Sequence, residues 1–252
     1  VSTIGFIGTG HIAAPMVRHL AAKGHEIVVT ERNAEVSAAL AAELGVGVSD
    51  AQGVIDRSEI VFLCLRPQIA EEVLAELTFR AGQKIVSVMA GIGVERLQVI
   101  CAPAGDIVQT VPLGFVENGG CPLAAHGDTD LLASLFEPEN PVVPVASEAA
   151  LDAHFAICAM VPGLLDLMAT ASGWLGARTG DANAAEFYTT QMMTGFLAAM
   201  DKGGAGRLAE ERDALATEAT LSLQMVQGLS NGGAHAALAE TLQAIRSRLS
   251  GD

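Results

Sequence analysis

The sequence predicts an α/β fold: a doubly wound sheet in its N-terminal part and an all-helical C-terminal part. Three observations predict it. Short apolar runs alternate with helical patterns as far as Val111. A glycine-rich turn joins the first run to the first helical pattern. Past about residue 147 strand runs vanish and apolar residues recur at helical spacing.

Taken in order, Thr3–Gly8 reads as a short buried strand, and a helix carrying Met16, Val17 and Leu20 runs to Lys23-Gly24. Glu26–Thr30 is the second strand, and Ala34–Leu44 a helix closed by Gly45. Val46–Val48 is a third short strand and Ala51–Asp56 a short helix. Glu59–Leu65 is continuously apolar beyond its first residue, as a strand covered on both faces must be. Ile69–Leu77 (helix), Lys84–Met89 (strand), Val94–Ile100 (helix) and Asp106–Val111 (strand) complete the alternation. In the second half, Leu151–Ser172 reads as one helix bent at Pro162. Asn183-Ala-Ala-Glu186 reads as a capping box opening the next helix. Glu210–Leu229 and Ala234–Leu249 follow. The segment Phe136–Val145, with Pro138, Pro141 and Pro144, reads as the connector. The expected domains are residues 1–146 and 147–252.

Half of the 252 residues are apolar and 17% charged, which excludes a disordered chain. The 14 Lys and Arg stand against 29 Asp and Glu, and only Lys23, Lys84 and Lys202 are lysines. Such a surface repels phosphate backbones and anionic lipid, so neither nucleic acid nor membrane is an expected partner. The most apolar stretch, Phe155–Leu165, is interrupted by Pro162 and is expected to be too short to span a bilayer. No basic leader pattern is read at the start, and the expected location is cytoplasmic. Cys64, Cys101, Cys121 and Cys158 lack paired spacing, so neither a metal site nor a disulfide framework is expected.

Gly8-Thr9-Gly10-His11-Ile12-Ala13 is G-x-G-x-x-A between a strand and a helix. Gly8 permits the tight turn, Gly10 lets the backbone approach a pyrophosphate, and Ala13 keeps helix and strand close. The helix N-terminus then holds the anion that a lysine-poor chain cannot. A Rossmann-type dinucleotide-binding domain is therefore expected. At the end of the second strand, Glu31 would suit the ribose hydroxyl of NAD, whereas Arg32-Asn33 makes a phosphate clamp for NADP. The expected cofactor is NADP, with NAD possible.

With these motifs, the chain resembles the pyrroline-5-carboxylate reductase family. Ile4–Ala13 is similar to that family's I-G-F-I-G-x-G-N-M-A, Glu59–Gln68 to D-V-V-F-L-A-V-K-P-Q, and Val86–Ile92 to I-S-I-A-A-G-I. Leu151-Asp-Ala153 and Gly232–Leu238 resemble L-D-A and G-G-x-x-A-A-L in the helical half. The resemblance implies an NAD(P)H-dependent reductase that delivers hydride to the carbon of a C=N bond in a small cyclic imine. It implies that Gly8, Thr9, Gly10, His11, Ile12, Arg32 and Asn33 hold the adenine–ribose–pyrophosphate portion, while Leu65, Arg66, Pro67, Ala90 and Gly91 line the path to the nicotinamide. It also implies a homodimer formed through the helical domain, which suits helices rich in small residues.

The departures lie where the resemblance places the substrate. The family's S-G-S-G-P-A is Cys158–Gly163 here, leaving Cys158, Met160 and Pro162 as an apolar lining. Its S-P-G-G-T-T, which holds a substrate carboxylate, is Thr217-Glu-Ala-Thr-Leu-Ser222. Thr217 and Ser222 are the candidate catalytic hydroxyls, with Thr220 as a further substrate contact, against the plainer roles of helix cap and in-helix hydroxyl. Glu218 would repel a carboxylate. Tyr188, His154 and Asp166 read more simply as core or interface residues. Two other readings stand beside the reductase: a cofactor-binding protein of the same fold with lost or altered catalysis, or a hydroxyacid dehydrogenase-like enzyme acting on C=O. The second needs a lysine on a substrate-domain helix, and Lys202, followed by two glycines, is the only one beyond residue 84.

Overall fold

The computed structural model describes residues 1–250. Two compact units form: one of residues 1–155 together with residues 246–250, the other of residues 156–245. The first unit thus extends past the connector expected at 146 and takes back the end of the last helix.

In the first unit the strands are β1 (Thr3–Ile7), β2 (Glu26–Thr30), β3 (Gly47–Ser49), β4 (Ile60–Leu63), β5 (Lys84–Ser87), β6 (Asp106–Val111), β7 (Leu123–Gly127) and β8 (Val142–Pro144). Their order is β3-β2-β1-β4-β5-β6-β7-β8. The first six are parallel, β7 runs antiparallel to β6, and β8 is parallel to β7. The helices between them are α1 (Ala13–Ala22), α2 (Ala34–Leu44), α3 (Ala51–Arg57), α4 (Pro67–Ala75), α5 (Val94–Ile100) and α6 (Thr129–Phe136).

The period-two alternation of the strands builds two cores, one on each face. Ile4, Phe6, Phe62, Val86 and Val108 face α1, α2 and α6 through Met16, Leu20, Leu40 and Phe136. Ile7, Val61, Leu63, Ile85 and Ile107 face α3, α4 and α5 through Ile55, Leu74 and Leu97. Phe6 stacks on Phe62 with centroids 4.7 Å apart, and Phe136 closes edge-on at 6.3 Å from Phe62. The expected doubly wound sheet is therefore present.

The stretch read as a connector contains β8. Pro144 is tolerated there because an edge strand can forgo one backbone donor. Asn140, wholly buried, locks this region by donating from Nδ2 to the Val116 carbonyl and accepting from the Cys121 amide.

The second unit is helical: all of α8–α11 lie in it, and α7 and α12 run into it. Their ranges are α7 (Glu148–Cys158), α8 (Met160–Thr179), α9 (Ala182–Ala199), α10 (Arg207–Leu215), α11 (Leu221–Asn231) and α12 (Ala234–Ser250). Three details differ from expectation. The helix expected over Leu151–Ser172 is interrupted at Ala159, because Pro162 cannot donate to the carbonyl four residues before it. The N-cap of α9 is Asp181, whose carboxylate accepts from the Ala184 amide; Glu186 instead accepts from the Ser172 hydroxyl of α8. The single helix expected over Glu210–Leu229 is split at 216–220, where Ala219 takes a positive φ of 63° and Thr220 caps α11. Gly176 lets α8 and α9 close together, since a Cβ there would lie 3.2 Å from the Ala182 Cα.

The apolar stretch around Phe155–Leu165 is not as short as expected. The helical run 148–179 has an 18-residue window of mean hydropathy 1.6, long and apolar enough by composition to cross a membrane, and only 11% of that window is buried. Trp174, Phe187, Tyr188, Met192 and Leu221 are likewise exposed in this unit.

Candidate functional site

The sheet order reverses at β1, which lies between β2 and β4, and a crevice forms outside the carboxyl ends of strands at such a point. The turn after β1 and the segments after β2, β4 and β5 all lie at this edge, and they carry every residue expected to bind cofactor.

The turn after β1 is shaped by the chain itself. Gly8 has φ +100°, and a Cβ there would come within 2.6 Å of the Cys64 carbonyl oxygen, so both its conformation and the close passage of β4 demand glycine. Its amide donates to the Thr30 hydroxyl at 3.0 Å. The Asn33 side chain donates from Nδ2 to the Thr9 carbonyl at 3.0 Å. Asn33, expected as half of a phosphate clamp, therefore braces the turn with its amide nitrogen. Thr30 was missed by sequence reasoning; a hydroxyl at the last position of β2 was the only available signal.

Gly10 differs from Gly8. A Cβ placed there would meet nothing within 4 Å, and the residue is exposed. Packing does not require this glycine, whereas an anion lying against the backbone would. Beyond it, α1 begins with Ile12 as N-cap, without a side-chain cap and without an acidic residue in its first turn. The free N–H groups and the positive end of the helix dipole are thus open to an anion, and the turn fits a pyrophosphate. His11 and Ile12 are exposed beside it, while the Thr9 hydroxyl is buried without a partner, so Thr9 can offer only its backbone.

Arg32 is exposed just past β2, with no ion pair among the described residues. Leu65 is half-buried, and its Cδ2 lies 3.4 Å from a Cβ built on Gly8. Arg66 is the N-cap of α4 and Pro67 its first residue, both exposed. Ala90 is half-buried and Gly91 exposed at φ +73°, a Cβ there lying 3.6 Å from the Leu249 carbonyl oxygen. Burial pushes the Cys64 thiol far above its ordinary range, which disfavours a thiolate at the crevice.

The candidate substrate residues lie in the helical unit. Cys158 is half-buried at the end of α7 and its thiol is pushed up by burial, while Met160 and Pro162 are exposed at the start of α8. Met160 lines an apolar groove of about 560 Å³ bounded by α8 and α12; Thr217, Thr220 and Ser222 do not line it. Thr220 donates from its hydroxyl to the Thr217 carbonyl at 2.7 Å and accepts from the Leu223 amide, so it is the cap of α11. Thr217 and Ser222 are exposed on either side of that cap, and the plain role of helix cap falls to Thr220 rather than Thr217.

Comparison with known proteins agrees with this geometry. The family described as NADP oxidoreductase, coenzyme F420-dependent, matches residues 3–91. The pyrroline-5-carboxylate reductase of Haemophilus influenzae is 30% identical over 143 residues, covering 54% of this chain and 49% of that one. That of Pseudomonas aeruginosa is 27% identical over 191 residues, 70% of each chain. The chain spans about half the length of most curated relatives it matches. Among solved structures, the 1-pyrroline-5-carboxylate reductase of Streptococcus pyogenes has a TM-score of 0.82 at 20% identity, covering 100% of this chain and 99% of the other. The Plasmodium falciparum pyrroline carboxylate reductase, solved with NADP bound, has a TM-score of 0.82 at 13% identity, with 99% and 97% covered. In its cofactor-domain sequence and in its fold, the chain is similar to the pyrroline-5-carboxylate reductases.

Proposed function

We propose that the protein is an NAD(P)H-dependent reductase acting on the C=N bond of a small cyclic imine. The observation that carries this reading is the open turn at Gly10, where an unfilled Cβ position meets an uncapped helix N-terminus at the point of strand reversal. The kinship with pyrroline-5-carboxylate reductases supplies the reaction type. Bound there, a nicotinamide cofactor supplies the hydride. The chain's part is to position the reactants and to let a proton reach the product nitrogen.

The backbone of Gly8, Thr9, Gly10, His11 and Ile12 would hold the pyrophosphate, and Arg32 the 2′-phosphate of NADP. Leu65, Arg66, Pro67, Ala90 and Gly91 would flank the nicotinamide arm. Thr217 and Ser222 are assigned hydroxyl contacts to the substrate, with Thr220 held as the cap between them, and Cys158, Met160 and Pro162 an apolar lining. The apolar side chains exposed on the helical unit are assigned to a homodimer interface, which also accounts for the apolar run 148–179 without a membrane. A cytoplasmic location accords with this reading.

The test is consumption of NADPH with a panel of cyclic imines, with sedimentation to measure the oligomer. Tight NADPH binding without turnover of any imine overturns the reductase reading; a monomer at micromolar concentration overturns the interface.

A further inference from the structure

The turn assigned to the cofactor pyrophosphate is short of charge. The chain has 29 Asp and Glu against 14 Lys and Arg, so a dinucleotide anion approaches a protein of its own sign. Amides at the start of α1 supply partial charge. Within Gly8–Ile12 only the His11 side chain can become a cation.

The fold leaves this histidine free. Of the six histidines, four are engaged elsewhere. His19 stacks on Phe136, His25 accepts from the Ser2 amide, and His126 and His154 each lie within hydrogen-bond distance of a backbone carbonyl. His11 is exposed and makes no hydrogen bond or ion pair among the described residues. Nor does the turn need it, because the Gly8 amide is held by Thr30 and the Thr9 carbonyl by Asn33. The imidazole thus sits between Gly10, whose Cβ position is open, and Ile12, the N-cap of α1, without a structural task. Where the similar reductases carry the asparagine of G-N-M-A, this chain carries a group that titrates.

The charges on the neighbouring elements do not engage it. Glu31 and Arg32 follow β2, Glu35 stands in the first turn of α2, and Arg66 is the N-cap of α4. Along α1 the first charged residue is Arg18, which is held by Glu43 of α2 and by Glu117 of the short turn Val116–Asn118. None of these carboxylates is paired with His11 among the described residues, so a proton on its ring is matched by an anion from outside.

We propose that the His11 imidazole clamps the cofactor pyrophosphate and takes up a proton as the dinucleotide binds. The inference rests on the cofactor site of the proposed function and adds a pH dependence to it. A neutral imidazole offers one N–H, whereas the protonated ring offers two and a full charge. A charge-assisted bond is roughly twice as strong as a neutral one. Protonation and binding therefore favour each other. One ring nitrogen gains a proton from solvent as the complex forms, and affinity rises as pH falls through the range where imidazole titrates. The pyrophosphate is ionised throughout that range. The 2′-phosphate of NADP is not, since a phosphate monoester titrates at about pH 6.

The probe is therefore NAD+, which lacks the 2′-phosphate, titrated calorimetrically at pH 6 and pH 8. Wild type should bind it about fivefold more tightly at pH 6, the scale of one exposed charge-assisted contact. At pH 7 the heats in two buffers of different ionisation enthalpy should show net proton uptake. His11→Asn should flatten the pH slope and abolish the uptake. His11→Lys, charged at both pH values, should bind tightly at both. Thermal melts check that both variants fold. Comparison with His11→Asn cancels what the other histidines contribute. An equal slope and equal uptake in wild type and His11→Asn overturn the clamp. His11-dependent proton uptake with no imine reduced leaves the clamp standing and overturns the reductase reading. Imine reduction by a protein whose NAD+ affinity ignores His11 does the reverse.

Discussion

The Gly8 amide donates to the Thr30 hydroxyl at 3.0 Å, so the turn that follows β1 is tied to the last residue of β2. Thr30 is 5% exposed, and replacing it with the isosteric valine leaves a partly buried N–H without a partner. A buried donor left unmade costs about 1–3 kcal/mol. Thr30→Val should lower Tm and also weaken NADPH, because the amides of a loosened turn no longer converge. Thermal melts with and without NADPH test both effects; unchanged NADPH affinity would sink the proposed role of this bond.

Gly8 and Gly10 should separate folding from binding. Gly8→Ala places a Cβ on the Cys64 carbonyl in a left-handed conformation, and about 2–4 kcal/mol of stability should be lost. Gly10→Ala adds its methyl to open space and should leave the stability without cofactor within about 1 kcal/mol of wild type. It should nevertheless weaken NADPH more than tenfold by occupying the approach to the pyrophosphate. A Gly10→Ala protein that binds NADPH normally would mean that the open space has another purpose.

The contrast between those glycines also marks how far the sequence was legible. Strands β1, β2, β4 and β5 read clearly because burial on both faces produces apolar runs ended by glycine or polar residues, and β6 reads through Ile107-Val108 and Val111 around two polar residues. Leu123-Ala-Ala-His-Gly127 and Val142-Val-Pro144 carry too little of that signal, so β7 and β8 emerge only from pairing. The split at 216–220 was hidden because Ala-Thr-Glu-Ala-Thr holds neither glycine nor proline; Ala219 in the left-handed region and the Thr220 cap end the helix instead. The cofactor turn was legible because its residues are adjacent in sequence. The Thr30 contact was not, because its hydroxyl reaches the Gly8 amide from a separate strand and no spacing relates the two.

Cofactor choice should turn on Arg32. It is exposed, unpaired among the described residues and placed one position past Glu31 at the end of β2. Arg32→Ala should raise the Kd for NADPH about tenfold or more and leave NADH nearly unchanged, since only NADPH carries the 2′-phosphate. Fluorescence titration of both cofactors decides; equal losses would remove Arg32 from the phosphate site.

His19 should make the fold sensitive to mild acid. It is 7% exposed, stacks on Phe136 at 5.3 Å, and its Nε2 is buried without a partner. Burial first and the Lys23 charge second hold its pKa below the ordinary value, against weaker opposing effects of Glu139 and the Leu135 backbone. The fold therefore favours neutral imidazole. This stability is complete above the unfolded value of about 6.5 and is lost as pH falls through the lowered folded value. His25, also held down chiefly by burial, acts in the same direction. Tm should fall between pH 7 and pH 5, and His19→Phe, which keeps the stack and removes the titration, should flatten that slope. An equal slope in the variant would exonerate His19.

Thr217 and Thr220 should part company in the same way as the two glycines. Thr220 accepts from the Leu223 amide as the cap of α11, so Thr220→Ala should cost about 1 kcal/mol of stability. Thr217 contributes its backbone carbonyl to this cap, and its side chain is exposed. Thr217→Ala should leave Tm unchanged yet lower kcat/KM for the best imine about tenfold, the loss of one hydroxyl contact. Ala219 supplies the control. With φ at 63°, Ala219→Gly relieves the left-handed strain and should stabilise the turn by about 1 kcal/mol without touching a hydroxyl. If Ala219→Gly changes the rate as much as Thr217→Ala does, the geometry of the turn governs turnover, and the Thr217 hydroxyl does not.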